Sequence, residues 1–169
     1  MNRFSRQVNV VVIYILVSVV VGSYIYEVFG NKNPCLQCFL QRFAMLSVAA
    51  GFFLNVRCGI RLGHYAVSYF SALFGGTVSL RQMLANYCAT TPSLLPELGI
   101  PLYTWALIVF ASTVLGISIL LFLTRPQEVD TPAAKTPLWE KLGILYLIVV
   151  IVMNVYSAYS LCGLGIVCR

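Results

Sequence analysis

The sequence predicts an all-α integral membrane protein, and three observations predict it. Hydrophobic residues make up 60% of the 169 residues and charged ones only 9%, a balance outside that of soluble globular domains. The apolar residues gather into five uninterrupted stretches, each near the ~20 residues that cross a ~30 Å hydrocarbon core. The connections are short and leave no stretch for a separate soluble domain, so residues 1–169 are expected to form one membrane domain. Backbone groups in lipid must be satisfied within the protein, and for stretches of this length that means helices.

The first span, about residues 8–29, follows a basic start from Met1 to Gln7. It is longer than a signal-peptide core and has no clear small-x-small cleavage site, which marks a retained span. The second, about 39–56, is entered through Asn33-Pro34-Cys35-Leu36-Gln37-Cys38, and the third, about 64–84, follows the basic connection Asn55 to Arg61. A segment from about Asn86 to Leu102 leads into the fourth, about 103–124. The polar stretch Arg125 to Lys141, with Pro126, Pro132 and Pro137, is the one linker-like segment before the fifth span, about 142–161.

The formal net charge is +6, but the basic residues sit thinly at the ends of apolar runs rather than in a patch, which argues for membrane orientation and against nucleic acid. With the amino terminus cytoplasmic, Arg3, Arg6, Arg57, Arg61, Arg125, Lys135 and Lys141 lie inside, against Lys32, Arg42, Arg81 and Arg169 outside. That is the excess the positive-inside rule requires, and it places the carboxyl terminus outside. Tyr24, Tyr26, Tyr87, Tyr103, Trp105, Trp139 and Tyr159 fall near span ends, as an aromatic belt does. Glu27 and Glu97 read as solvated loop or interface carboxylates.

This orientation puts Cys35, Cys38, Cys88, Cys162 and Cys168 on the outer side and Cys58 alone on the inner side. Cysteine is often a small core hydrophobe, yet here none stands in the middle of a span, and the cluster lies on the face where disulfides persist. The partition points to thiol chemistry. Cys58 reads as a reduced thiol without a role.

Cys35-Leu36-Gln37-Cys38 stands at the first turn of a helix, where Pro34 loses no needed hydrogen bond. The partial positive charge of a helix amino terminus favours a thiolate over a thiol. Cysteines at this spacing close a small, reducible disulfide whose thiolate is both nucleophile and leaving group in exchange. Arg42, four residues after Cys38, lies on the same helix face one turn along. It is placed to stabilise a Cys38 thiolate and to hold an electron-rich carbonyl acceptor, such as a quinone, at the membrane boundary. An arginine in an apolar span is costly and therefore a functional candidate, against the alternative of a side chain that snorkels to headgroups.

The stretch Pro34-Cys35-Leu36-Gln37-Cys38-Phe39-Leu40-Gln41-Arg42 resembles the Pro-Cys-x-x-Cys-x-x-x-Arg signature of DsbB-type disulfide bond formation proteins. Leu80-Arg81-Gln82-Met83-Leu84 resembles that family's Arg-Gln-containing stretch, and Leu98-Gly99-Ile100-Pro101-Leu102-Tyr103-Thr104-Trp105-Ala106-Leu107 its entry to the fourth span. The resemblance runs from about residue 8 to 124. It implies a four-helix transmembrane bundle in the bacterial inner membrane. Such a protein reoxidises a soluble thioredoxin-fold thiol oxidase of the DsbA type and passes the electrons to a membrane quinone, ubiquinone or menaquinone. Cys35 and Cys38 match the family's quinone-proximal redox-active pair and Arg42 its quinone-site arginine. No metal, flavin or nicotinamide is implied, and the sequence has no glycine-rich motif or histidine cluster for one.

The sequence departs from the family after the third span. The family's second cysteine pair lies in the loop between its third and fourth spans, where this chain has Cys88 alone. A fifth apolar span follows instead, and its outer, periplasmic end delivers Cys162 and Cys168. The added helix is expected to restore the second pair. Cys162 with Cys168 closes a short loop eased by Gly163 and Gly165, and local closure is entropically cheap; Cys88 with Cys162 or Cys168 is the other pairing, and both stand open.

Other readings have their own signals. Quinone-linked thiol oxidoreductases of the vitamin K epoxide reductase type carry the Cys-x-x-Cys on a late span after the loop cysteines, the reverse of the order here. A cysteine metal-binding module or soft-cation transporter would need a mid-span thiol or methionine ladder; zinc would need four ligands together, and His64 lies on the wrong side. A membrane subunit with purely structural disulfides would never change the redox state of a quinone.

Overall fold

A computed structural model describes residues 3–29, 36–87, 101–123 and 138–162. Five helices follow in order: α1 (Arg3–Phe29), α2 (Leu36–Cys58), α3 (Leu62–Tyr87), α4 (Leu102–Leu123) and α5 (Leu138–Cys162). Their ends follow from local chemistry. Gly59 adopts a left-handed φ of 85° directly after α2, the backbone that closes a helix and that glycine takes without strain. Arg57 in the last turn of α2 meets the negative end of the helix dipole. The connection to α3 is clamped by Asn55, whose Oδ1 accepts from the Arg61 amide at 3.3 Å and lies 3.2 Å from His64 Nδ1. Pro101 opens α4, its carbonyl accepting from the amides of Thr104 and Trp105 at 3.0 and 3.3 Å, a place where a missing N–H costs nothing.

Helices α1, α2, α4 and α5 are long and apolar enough to cross a membrane. Helix α3 has 26 residues, ample length, but falls short of the others in apolarity. The reason is where its polar residues go. Ser68 Oγ donates to the Val48 carbonyl of α2 at 2.9 Å, Ser79 Oγ to the Gly75 carbonyl at 2.9 Å, and Gln82 accepts from Gln41 Nε2 at 2.8 Å. The cross-helix pairs 48 with 68 and 41 with 82 make α3 antiparallel to α2, so it runs through the same depth. The protein is an all-α, multi-pass membrane protein.

Helix α2 is central and packs against all four others, with α3 between α2 and α4 and with α5 against α1 and α2. In lipid no hydrophobic force drives helices together, and association rests on close packing and interhelical hydrogen bonds. The four largest interfaces show one or both. A Cβ on Gly51 would stand 2.1 Å from Ser68 Oγ and 2.8 Å from the His64 carbonyl, so α2 and α3 meet at backbone distance. A Cβ on Gly75 would strike the buried Phe110 ring of α4 at 2.2 Å. Val10, Val17 and Val20 of α1 pack with Val48, Ala49 and Phe52 of α2 in one core cluster. Outward faces carry Ile15, Phe70, Leu115, Phe122 and Val152, all exposed, as lipid contact demands.

Helix α5 is joined to α1 by polar contacts along its length. Arg6 pairs with Glu140, the Tyr14 hydroxyl donates to the Trp139 carbonyl at 2.8 Å, and the Tyr24 hydroxyl donates to Asn154 Oδ1 at 2.6 Å. Gly143 lets the Tyr14 ring lie against α5, where a Cβ would stand 3.2 Å from it. From Arg6 with Glu140 to Tyr24 with Asn154 the paired positions rise together, so α5 runs parallel to α1. Its last residue, Cys162, therefore ends at the Cys38 end of the bundle. The linker-like reading of Arg125 to Lys141 is cut short here: Leu138 to Lys141 already belong to α5, and Glu140 is buried at 2% exposure because it is the counter-ion of Arg6.

Candidate active site

Cys38 sits in the first turn of α2, half-buried, and is disulfide-bonded; its partner lies outside the described side chains. One helical turn further, Arg42 is 6% exposed. It does not snorkel, because α1 holds its guanidinium from three consecutive directions. Nε donates to Ser23 Oγ at 2.9 Å, Nη2 pairs with the Glu27 carboxylate, and Cζ stands 4.2 Å from the centroid of the Tyr24 ring. Ser23 and Glu27 are four apart and share a helix face, with Tyr24 beside them. Ser23 spends its own proton on the Val20 carbonyl at 2.7 Å, which leaves its lone pairs for the arginine.

Among the described residues α1 and α4 do not pack against each other, although both pack on α2. The gap between them is a cavity of about 690 Å³. Its floor is Cys38, Gln41, Arg42 and Met45 of α2; one wall is Val19, Gly22, Ser23 and Tyr26 of α1, and the other is Trp105, Ala106 and Val109 of α4. Gln41, buried at 7% exposure, is held from behind by Gln82. Ile25 and Phe29 of α1, which also line the cavity, are exposed. It thus offers apolar walls, a few polar groups on one side, and a redox-capable sulfur at its edge. That combination suits an amphiphilic ring compound carrying carbonyl oxygens, in a volume typical of such sites.

The structure brings together Cys38 and Arg42, which the sequence had placed on one face. Cys35, Cys88 and Cys168 lie outside the described residues, and of Cys162 only its place at the end of α5 is described. Cys58 is free and exposed at the opposite end, beside Arg57 and Arg61. Among the described residues no three His, Cys, Asp or Glu gather as metal ligands would.

Four neighbours of the site were not anticipated. Glu27, read as a solvated loop or interface carboxylate, is the counter-ion of Arg42, with 17% side-chain exposure. Tyr24, read as part of an aromatic belt, lies under the guanidinium. Ser23 and Gln41 had drawn no attention. A signal for Glu27 existed: a charged group in a span needs an opposite charge, and the chain has only five acidic residues.

Residues 5–94 match the family described as "Disulfide bond formation protein DsbB", just over half of the chain. The match covers α1, α2 and α3 and ends before the Leu98 to Leu107 stretch, so α4 and α5 lie beyond it. No curated protein and no solved structure matches the chain.

Proposed function

The chain belongs to the DsbB family of disulfide bond formation proteins, and on that premise we propose that it is a thiol:quinone oxidoreductase that reoxidises a soluble thioredoxin-fold partner of the DsbA type. The observation that carries this reading is the shared cavity of Cys38 and Arg42, whose walls are apolar and come from α1 and α4, helices that do not pack on each other. A cavity so placed is reached from the bilayer, where a membrane quinone resides.

In the proposed cycle a partner thiolate attacks an outer disulfide of this chain. The partner leaves as a disulfide, and the dithiol left behind reduces the Cys35 to Cys38 disulfide by the same exchange chemistry. A quinone bound in the cavity would take up two electrons and two protons as the Cys35, Cys38 dithiol closes again to a disulfide. Arg42 and Gln41 are the polar groups available to hold a carbonyl oxygen, and Tyr26, Trp105 and Val109 would cover the ring and exclude water. Glu27 compensates the arginine charge, so the site does not carry an unpaired cation in lipid.

The outer disulfide is assigned to the tail. Helix α5 ends with Cys162 at the Cys38 end, which is where a substitute for the family's loop pair is needed. Pairing of Cys162 with Cys168 and pairing of Cys88 with a tail cysteine both remain compatible with this. The end that gathers Arg6, Arg57, Arg61 and His64 would face the cytoplasm of a bacterial inner membrane, with Cys38 and the end of α5 at the periplasmic face.

Reoxidation of the reduced partner by membranes containing the protein tests the reading. Cys38→Ser is expected to abolish it, and Arg42→Ala to raise the quinone concentration needed for half-maximal rate. Full turnover in Cys38→Ser would overturn the proposal.

A further inference from the structure

Helix α5 lies outside the family match, yet through Tyr24 it touches a residue that packs on Arg42. The Tyr24 hydroxyl donates to Asn154 Oδ1 at 2.6 Å, and the Tyr24 ring lies 4.2 Å from Arg42 Cζ. Asn154 is 2% exposed within the candidate span of α5. A buried amide in lipid is costly unless its hydrogen bonds are made, and this one is spent on Tyr24.

The consequence is mechanical. A tyrosine ring on α1 rotates about two side-chain bonds. A hydrogen bond at the far end of the ring pins its hydroxyl to α5 and so fixes where the ring stands. The ring then presents its face to the guanidinium, the geometry in which a cation and a ring attract. Ser23 and Glu27 hold the guanidinium by hydrogen bond and charge, and the Tyr24 ring bounds it on a further side.

We propose that Asn154 is a positioning residue of the acceptor site, acting through Tyr24 to hold Arg42 where it meets a bound quinone. This rests on the reading of Arg42 as the acceptor-binding residue. The fifth helix thereby has a role at the quinone site separate from the cysteines at its end.

The test uses the purified full-length protein with its disulfides oxidised, and decyl-ubiquinone as the probe. Binding without turnover is read from quenching of Trp105 fluorescence in a Trp139→Phe background. Asn154→Leu and Tyr24→Phe are each expected to raise the Kd about tenfold, the loss of one hydrogen-bonded contact, and the double variant to be no weaker than either single one. Asn154→Asp, which keeps the Oδ1 acceptor, should restore binding. Tyr24→Phe removes only a hydroxyl, so it carries the test even where Asn154→Leu fails to fold. An unchanged Kd in Tyr24→Phe alongside a raised Kd in Arg42→Ala would overturn the inference and leave the acceptor reading standing. An equal loss in Asn154→Asp would reduce Asn154 to a packing role and overturn it as well. An unchanged Kd in Arg42→Ala would remove the acceptor reading and this inference with it.

Discussion

Replacing Glu27 with glutamine removes the charge that compensates Arg42 while keeping the size of the side chain. The guanidinium it faces retains 8% side-chain exposure, and the carboxylate site 17%, so the loss falls largely on a desolvated cation. Breaking a buried ion pair from one side costs ~3–5 kcal/mol. Two features lower this value here. Arg42 keeps its bond to Ser23 and its place over the Tyr24 ring, and the glutamine carbonyl still accepts a hydrogen bond. The expected destabilisation is therefore about 2–3 kcal/mol, the range of one charge-assisted bond. Arg42→Met, which leaves a carboxylate that water can partly reach, should cost less, about 1–2 kcal/mol. The two changes together should be less costly than their sum, with a coupling of about 1–2 kcal/mol. Reversible unfolding in mixed micelles of a mild detergent and dodecyl sulfate measures all three variants. A coupling indistinguishable from zero would show that the pair does not act as a unit and would refute the charge-compensation argument.

Three further outcomes follow from the packing and the cysteines. Gly51→Ala should destabilise the fold by about 1–3 kcal/mol, the usual penalty of overpacking. Ser68→Gly should recover only part of that loss in the same unfolding assay, because the His64 carbonyl stays 2.8 Å from the new carbon. Glu140→Gln, which strips Arg6 of its buried partner, should cost about 3 kcal/mol and leave Cys38-dependent turnover unchanged. Mapping of disulfide-linked peptides in the oxidised protein should find Cys162 bonded to Cys168 or a tail cysteine bonded to Cys88; free thiols at all three would sink both pairings.

Much of the fold was legible because lipid narrows the choices. An apolar stretch of spanning length becomes a helix, so five stretches announced five helices, and the spacing from Cys38 to Arg42 placed both on one face. The apolarity of α3 was a weaker sign, since Ser68, Ser79 and Gln82 are satisfied inside the bundle and lower its hydropathy without touching lipid. Neighbours were harder to foresee. The apolar residues of helices α4 and α5 are spread around each helix, so their pattern does not mark the face that meets the protein. That α5 lies parallel to α1, and that Asn154 reaches Tyr24, depends on contacts 130 positions apart in sequence. Glu27 shows the same limit: its position one turn from Ser23 was visible, but the arginine it faces belongs to another helix. The linker boundary was misplaced because Glu140, polar in sequence, is consumed by Arg6 and buried.

The passage of electrons from thiols to quinone is tested most directly by counting products. The quinone-loaded protein is mixed without oxygen with a limiting amount of reduced thioredoxin-fold partner, and quinol and partner disulfide are quantified together. Quinol should form in one-to-one proportion with partner disulfide, and Cys38→Ser should form none. Partner disulfide without quinol, or quinol formed by Cys38→Ser, would contradict the assignment of the Cys38 and Arg42 cavity as the place where the electrons leave.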